Sequence, residues 1–61
     1  MSDTTVSETR RKEIFSRLVE VQDKGVSVVE SRRRVAQEYE LEMDDMLGIE
    51  REGVSSRWPP L

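Results

Sequence analysis

A chain of 61 residues has room for one small domain with a thin core, and this one carries neither cysteine nor histidine. A disulfide staple, a Cys/His zinc site, a thiol nucleophile and any histidine-dependent triad are therefore excluded. Charged side chains make up 38% of the residues and the net charge is −3. No stretch resembles a signal peptide or approaches the ~20 apolar residues of a membrane span, so a soluble, cytoplasmic protein is expected.

Residues 1–6, MSDTTV, are polar and without periodicity, and are expected to form a disordered tail. Ser7 is suited to cap a first helix. Ile14, Phe15, Leu18, Val19 and Gln22 follow at i, i+1, i+4, i+5 and i+8, one stripe of that helix. Gly25 ends it, because glycine takes the left-handed conformation without a Cβ penalty. This predicts a helix over residues 7–24.

Ser27 and Glu30 have the spacing of a capping box, and a second helix runs from there to about Tyr39. Its inward face is Val28, Val29, Val35, Ala36 and Tyr39. Arg32 falls in the same arc. It is read either as a stem snorkelling to the edge or as a paired, partly buried cation that fixes helix orientation.

A third helix is expected over residues 43–52, with apolar positions Met43, Met46, Leu47 and Ile49. Gly48 weakens it and Gly53 terminates it. Residues 54–61 are read as an extended tail, since Pro59 biases Trp58 away from helix and Pro59-Pro60 favours polyproline II. Trp58 either packs back across helix 1 near Phe15 or stays free as a short proline-rich ligand.

Three amphipathic helices with brief turns bury three stripes at once only by packing together. The predicted fold is all-α, a small three-helix bundle over residues 7–53 with a helix-turn-helix formed by helices 2 and 3. Counting from Ala36, Tyr39 lies three on, Leu41 five on, Met46 ten on and Ile49 thirteen on, with Val35 just before. These are the buried positions of a helix-turn-helix.

On those residues, and on the run Ile49-Glu50-Arg51-Glu52-Gly53, the segment 35–53 resembles the helix-turn-helix of RNA polymerase sigma factors, their promoter-reading region 4. The resemblance covers about a third of the chain, and implies a transcriptional setting. Its departures are specific. Where the family places glycine at the turn stands Glu40, which is strained there or needs a longer turn. Where the family opens helix 3 with serine stands Glu42, a poorer cap. The outward positions, commonly Arg or Gln in the family, are Met43, Asp44, Asp45, Leu47 and Gly48.

Charge divides the chain in two. From Arg10 to Arg34 eight basic residues face four acidic ones, giving +4; from Val35 onward seven acidic residues face Arg51 and Arg57, giving −5. Helix 3 therefore repels phosphate, which supplies much of the affinity of DNA readers.

Three functions are weighed. The leading one is a non-enzymatic regulatory or adaptor module. It engages a protein partner through Met43, Asp44, Asp45 and Leu47, an apolar strip with an acidic rim suited to a basic or grooved surface. The plainer alternative is that Met43 and Leu47 complete the core. A variant is self-association, the positive half of one copy meeting the negative half of another. The second function is duplex DNA binding through Arg10, Arg11, Lys12, Arg33, Arg34 and Arg51, against a merely solvated basic face. The third, catalysis, is not expected. Glu42, Asp44 and Asp45 splay around a helix and do not converge on a metal, and no Gly-rich phosphate loop is present. No cofactor, metal, membrane or small-molecule substrate is expected.

Overall fold

The computed structural model describes residues 7–61, so the tail expected at 1–6 lies outside the described residues. Three α-helices, α1 (Glu8–Asp23), α2 (Val28–Glu38) and α3 (Met43–Ser56), each pack against the other two, giving a small all-α bundle. Among the described residues no helix is long and apolar enough to cross a membrane.

Helix starts follow the sequence closely. The Ser7 hydroxyl accepts from the Arg10 amide at 3.2 Å, and Ser27 accepts from the Glu30 amide at 3.1 Å. The second arm of the expected capping box is not used. Glu30 instead turns its carboxylate to Arg34, whose Nε donates at 3.3 Å, a partner one helical turn away. Glu42 precedes α3 with no side-chain cap, as its residue type implies.

All three helices are followed by a left-handed residue: Gly25 (φ 91°), Glu40 (φ 57°) and Arg57 (φ 55°). At the latter two the hydrogen bonding is that of a Schellman motif. After α2, the Glu40 amide donates to the Gln37 carbonyl at 3.2 Å and the Leu41 amide to the Ala36 carbonyl at 2.7 Å. After α3, the Arg57 amide donates to Val54 at 3.3 Å and the Trp58 amide to Gly53 at 3.0 Å. In each case a small residue precedes an apolar one by five positions, and the apolar side chain folds back on the bundle. Of the two ways of reading Glu40 in the turn, strain is the one realised. Its side chain is exposed and has no ion-pair partner among the described residues, so Glu40→Gly removes the Cβ penalty at the smaller cost of glycine's extra backbone entropy in the unfolded chain. Chemical denaturation should show a gain of about 1 kcal/mol.

The core comprises Ile14, Phe15, Leu18 and Val21 of α1, Val35 and Ala36 of α2, Met46 and Ile49 of α3, and Trp58. Val19, Val26, Tyr39 and Leu41 are partly buried against it. Val21 thus takes the inward place expected of Gln22, which lies at the edge and donates through Nε2 to the fully buried Ser31 hydroxyl at 3.1 Å. Ser31 in turn donates to the Val28 carbonyl at 2.8 Å, so this small polar side chain is satisfied where α1 and α2 meet. Val28 and Val29, expected inward, are 48% and 65% exposed. Their phase is consistent with the stripe, but they occupy the first turn of α2, at the end of the bundle, where the described residues cover them only in part.

Two further expectations are corrected at the C-terminal end. Gly53 does not terminate α3; the helix continues through Ser56, and Gly53 lies buried within it. The glycine is there for space. An ideal Cβ at Gly53 would fall about 2.5 Å from the Phe15 ring carbons Cε1 and Cγ, well inside contact distance. Residues 54–61 are therefore not an extended tail: the first three are helical, and proline constrains only its immediate neighbourhood. Pro59-Pro60 is cis rather than polyproline II, and the Leu61 amide donates to the Trp58 carbonyl at 2.9 Å across the turn. Trp58 is docked, with 6% of its surface exposed, and meets Phe15 edge to face with centroids 6.2 Å apart.

Candidate interaction surface

The two oppositely charged halves of the sequence meet within one molecule. Arg11 of α1 grips Glu52 of α3 bidentately, Nε at 2.8 Å and Nη2 at 3.2 Å. Arg17 of α1 donates through Nε to Glu38 of α2 at 3.0 Å, and Arg32 of α2 through Nε to Glu50 of α3 at 2.7 Å. Arg32 therefore takes the paired, partly buried role. Its side chain is 30% exposed and that of Glu50 20%. Such a pair orients the two helices more than it stabilises them. The premise of self-association through opposite halves is weakened accordingly, since the same charges neutralise each other internally.

This pairing also sorts the cations considered for DNA. Arg10 reaches Glu13 at 3.5 Å and lies over the Tyr39 ring at 4.8 Å. Lys12 pairs with Glu8 at 3.5 Å, and Arg34 with Glu30. Arg11 is held by Glu52, and both Arg11 and Lys12 lie 6.0 Å from the Trp58 centroid. Only Arg33 and Arg51 of that set have no ion-pair partner among the described residues. The six cations are not gathered into one unpaired basic patch.

The Tyr39 hydroxyl makes a long hydrogen bond of 3.4 Å to Glu13 Oε2. Burial first, then the charges of Glu13 and Glu38, raise its pKa above the ordinary phenol value, partly offset by Arg10. Folding thus holds the phenolic proton more tightly. The resulting stability is present below the unfolded-state pKa of about 10 and is lost as pH rises through the higher folded value. Tyr39 is the sole tyrosine, so its alkaline absorbance titration is unambiguous. The midpoint should lie higher in the native protein than in urea, and Glu13→Gln should bring it part of the way back.

On α3 the expected partner-binding residues remain accessible. Met43 is 42% exposed, Asp44 and Asp45 are exposed, and Leu47 is half-buried without belonging to the core. Among the described residues Asp44 and Asp45 carry no ion pair, unlike Glu50 and Glu52. Leu47 lines an open depression of about 450 Å³ between α2 and α3 with Arg32, Glu50, Arg51, Val54 and Ser55. Val54, 57% exposed, was not anticipated, because it lies beyond the expected end of α3. Its position seven residues after Leu47 is the available signal, and the stop expected at Gly53 hides it.

Comparison with protein-family models, with characterised proteins and with solved structures finds no match.

Proposed function

We propose that this chain is a small, non-catalytic regulatory or adaptor module that binds a protein partner through the exposed side of α3. The observation that carries this reading is the set Met43, Leu47 and Val54: apolar side chains, two exposed and Leu47 half-buried, that lie outside the core, beside Asp44 and Asp45, which have no ion-pair partner among the described residues. A strip of this kind with a polar rim matches the anatomy of a protein-binding surface. Transcription is the proposed setting, on the strength of the likeness of residues 35–53 to sigma region 4. Duplex DNA binding ranks second, because four of its six candidate cations are engaged by carboxylates.

Affinity capture from the native extract tests the proposal with three baits: wild type, Met43→Ser/Leu47→Ser and Asp44→Lys/Asp45→Lys. The wild type should retain proteins that both variants lose, while circular dichroism shows all three folded. Identical retention by all three would dismiss this face as the binding surface. In parallel, fluorescence anisotropy with random duplex at low salt should stay flat. A rise there, disappearing with added salt, would put DNA first.

A further inference from the structure

The α2–α3 depression carries a charge pattern that specifies its occupant more closely. Steps of four and seven residues bring a helix back to within about 40° of the same direction, so exposed Met43, half-buried Leu47 and exposed Val54 form one apolar stripe along α3. Asp44 and Arg51 are also seven apart, on one edge of that stripe and separated by about 10 Å along the axis. Both are exposed, and neither has an ion-pair partner among the described residues. The depression beside them has Arg32 and Glu50 already neutralised against each other, with Leu47 and Val54 as its apolar walls.

We infer that this groove docks an amphipathic helix of a protein partner, one that lays apolar side chains on Leu47 and Val54 and carries a cation for Asp44 and a carboxylate for Arg51 about two helical turns apart. The reasons are length, shape and charge. Leu47 and Val54 are seven positions apart, a spacing that matches the i to i+7 anchors of a helix laid in a groove. A uniformly basic segment would be repelled at Arg51, and a uniformly acidic one at Asp44. This inference rests on the protein-binding reading above and adds the partner's chemistry to it.

The test titrates the full-length, isotope-labelled chain with three synthetic amphipathic helical peptides that share one apolar stripe. They differ at two edge positions seven residues apart: one lysine and one glutamate, two lysines, or two glutamates. The mixed peptide should bind most tightly and shift the amides of Leu47, Arg51 and Val54, with each mismatched charge costing about threefold in affinity. Arg51→Glu should turn the preference to the two-lysine peptide, and Asp44→Lys to the two-glutamate peptide. Both positions are exposed, so neither variant disturbs the core; Asp44→Lys places a cation in the first turn of α3, against the helix dipole, and circular dichroism checks that it stays folded.

Equal affinity for all three peptides, preferences that ignore the charge reversals, or shifts located away from the groove would overturn the inference. So would the same amide shifts appearing on concentration without peptide, since the occupant would then be a second copy of the chain. If the peptides fail while partner capture still depends on Met43 and Leu47, the groove inference falls and the protein-binding reading stands.

Discussion

Gly53→Ala is expected to destabilise the bundle by about 2–3 kcal/mol, although alanine is by far the better helix former. The added methyl would collide with the Phe15 ring, and both positions are buried at the α1–α3 contact. Phe15 cannot retreat without disturbing Trp58, which packs edge-on against it. Gly48 is the internal control. It lies in the same helix, is exposed, and has nothing within 4 Å of where a Cβ would sit. Gly48→Ala should therefore stabilise by up to about 1 kcal/mol, the propensity difference alone. Urea denaturation followed by circular dichroism gives both values. Equal effects at the two positions would show that the close contact between Gly53 and Phe15 is not rigid.

The largest loss is expected at Trp58. Truncation to alanine removes a side chain that closes the core next to Phe15 and leaves a cavity, which costs about 3–5 kcal/mol. A domain of this size has only about 3–9 kcal/mol in total, so Trp58→Ala should be largely unfolded or close to its midpoint at ambient temperature. Trp58→Phe keeps an aromatic against Phe15 and should remain folded, with a lower denaturation midpoint. The wild-type tryptophan should emit at short wavelength and resist an aqueous quencher. A water-like emission that quenches freely would mean that Trp58 is undocked in solution, and Trp58→Ala would then be nearly silent.

Much of the fold was legible because the signals were local. Ser7 and Ser27 are caps by residue type, Gly25 is a stop, and Ile14, Phe15 and Leu18 repeat at helical spacing, so the α1 and α2 boundaries agree with the structure to within a residue or two. The misreadings came from residues with two possible meanings. Gly53 reads as a helix stop, yet its role is close approach by a ring 38 positions earlier in the chain, which no local pattern reveals. Arg57, the residue that does end α3, has no intrinsic preference for the left-handed conformation and gives no warning. Ser31 is polar by type and buried by location.

The candidate surface was legible in part for the same reason. Met43, Asp44, Asp45 and Leu47 stand out in the sequence as the outward positions of its sigma-like helix-turn-helix pattern; in the structure the first three are exposed and Leu47 is half-buried. Val54 was lost with the misplaced helix end. The fate of the basic residues depended on long-range pairing: Arg11 with Glu52 and Arg32 with Glu50 are 41 and 18 positions apart, beyond the reach of any spacing rule.

One cross-helix ion pair joins each of the three helix couples: Arg11–Glu52, Arg17–Glu38 and Arg32–Glu50. Three helices with similar oily faces can wind about a common axis in either sense, and greasy contacts alone discriminate poorly between the two. In the wrongly wound assembly these guanidiniums would point at solvent or at one another and the carboxylates would be orphaned. Matched charges of this kind give the correctly wound assembly an advantage that the greasy contacts do not supply, a job separate from adding strength.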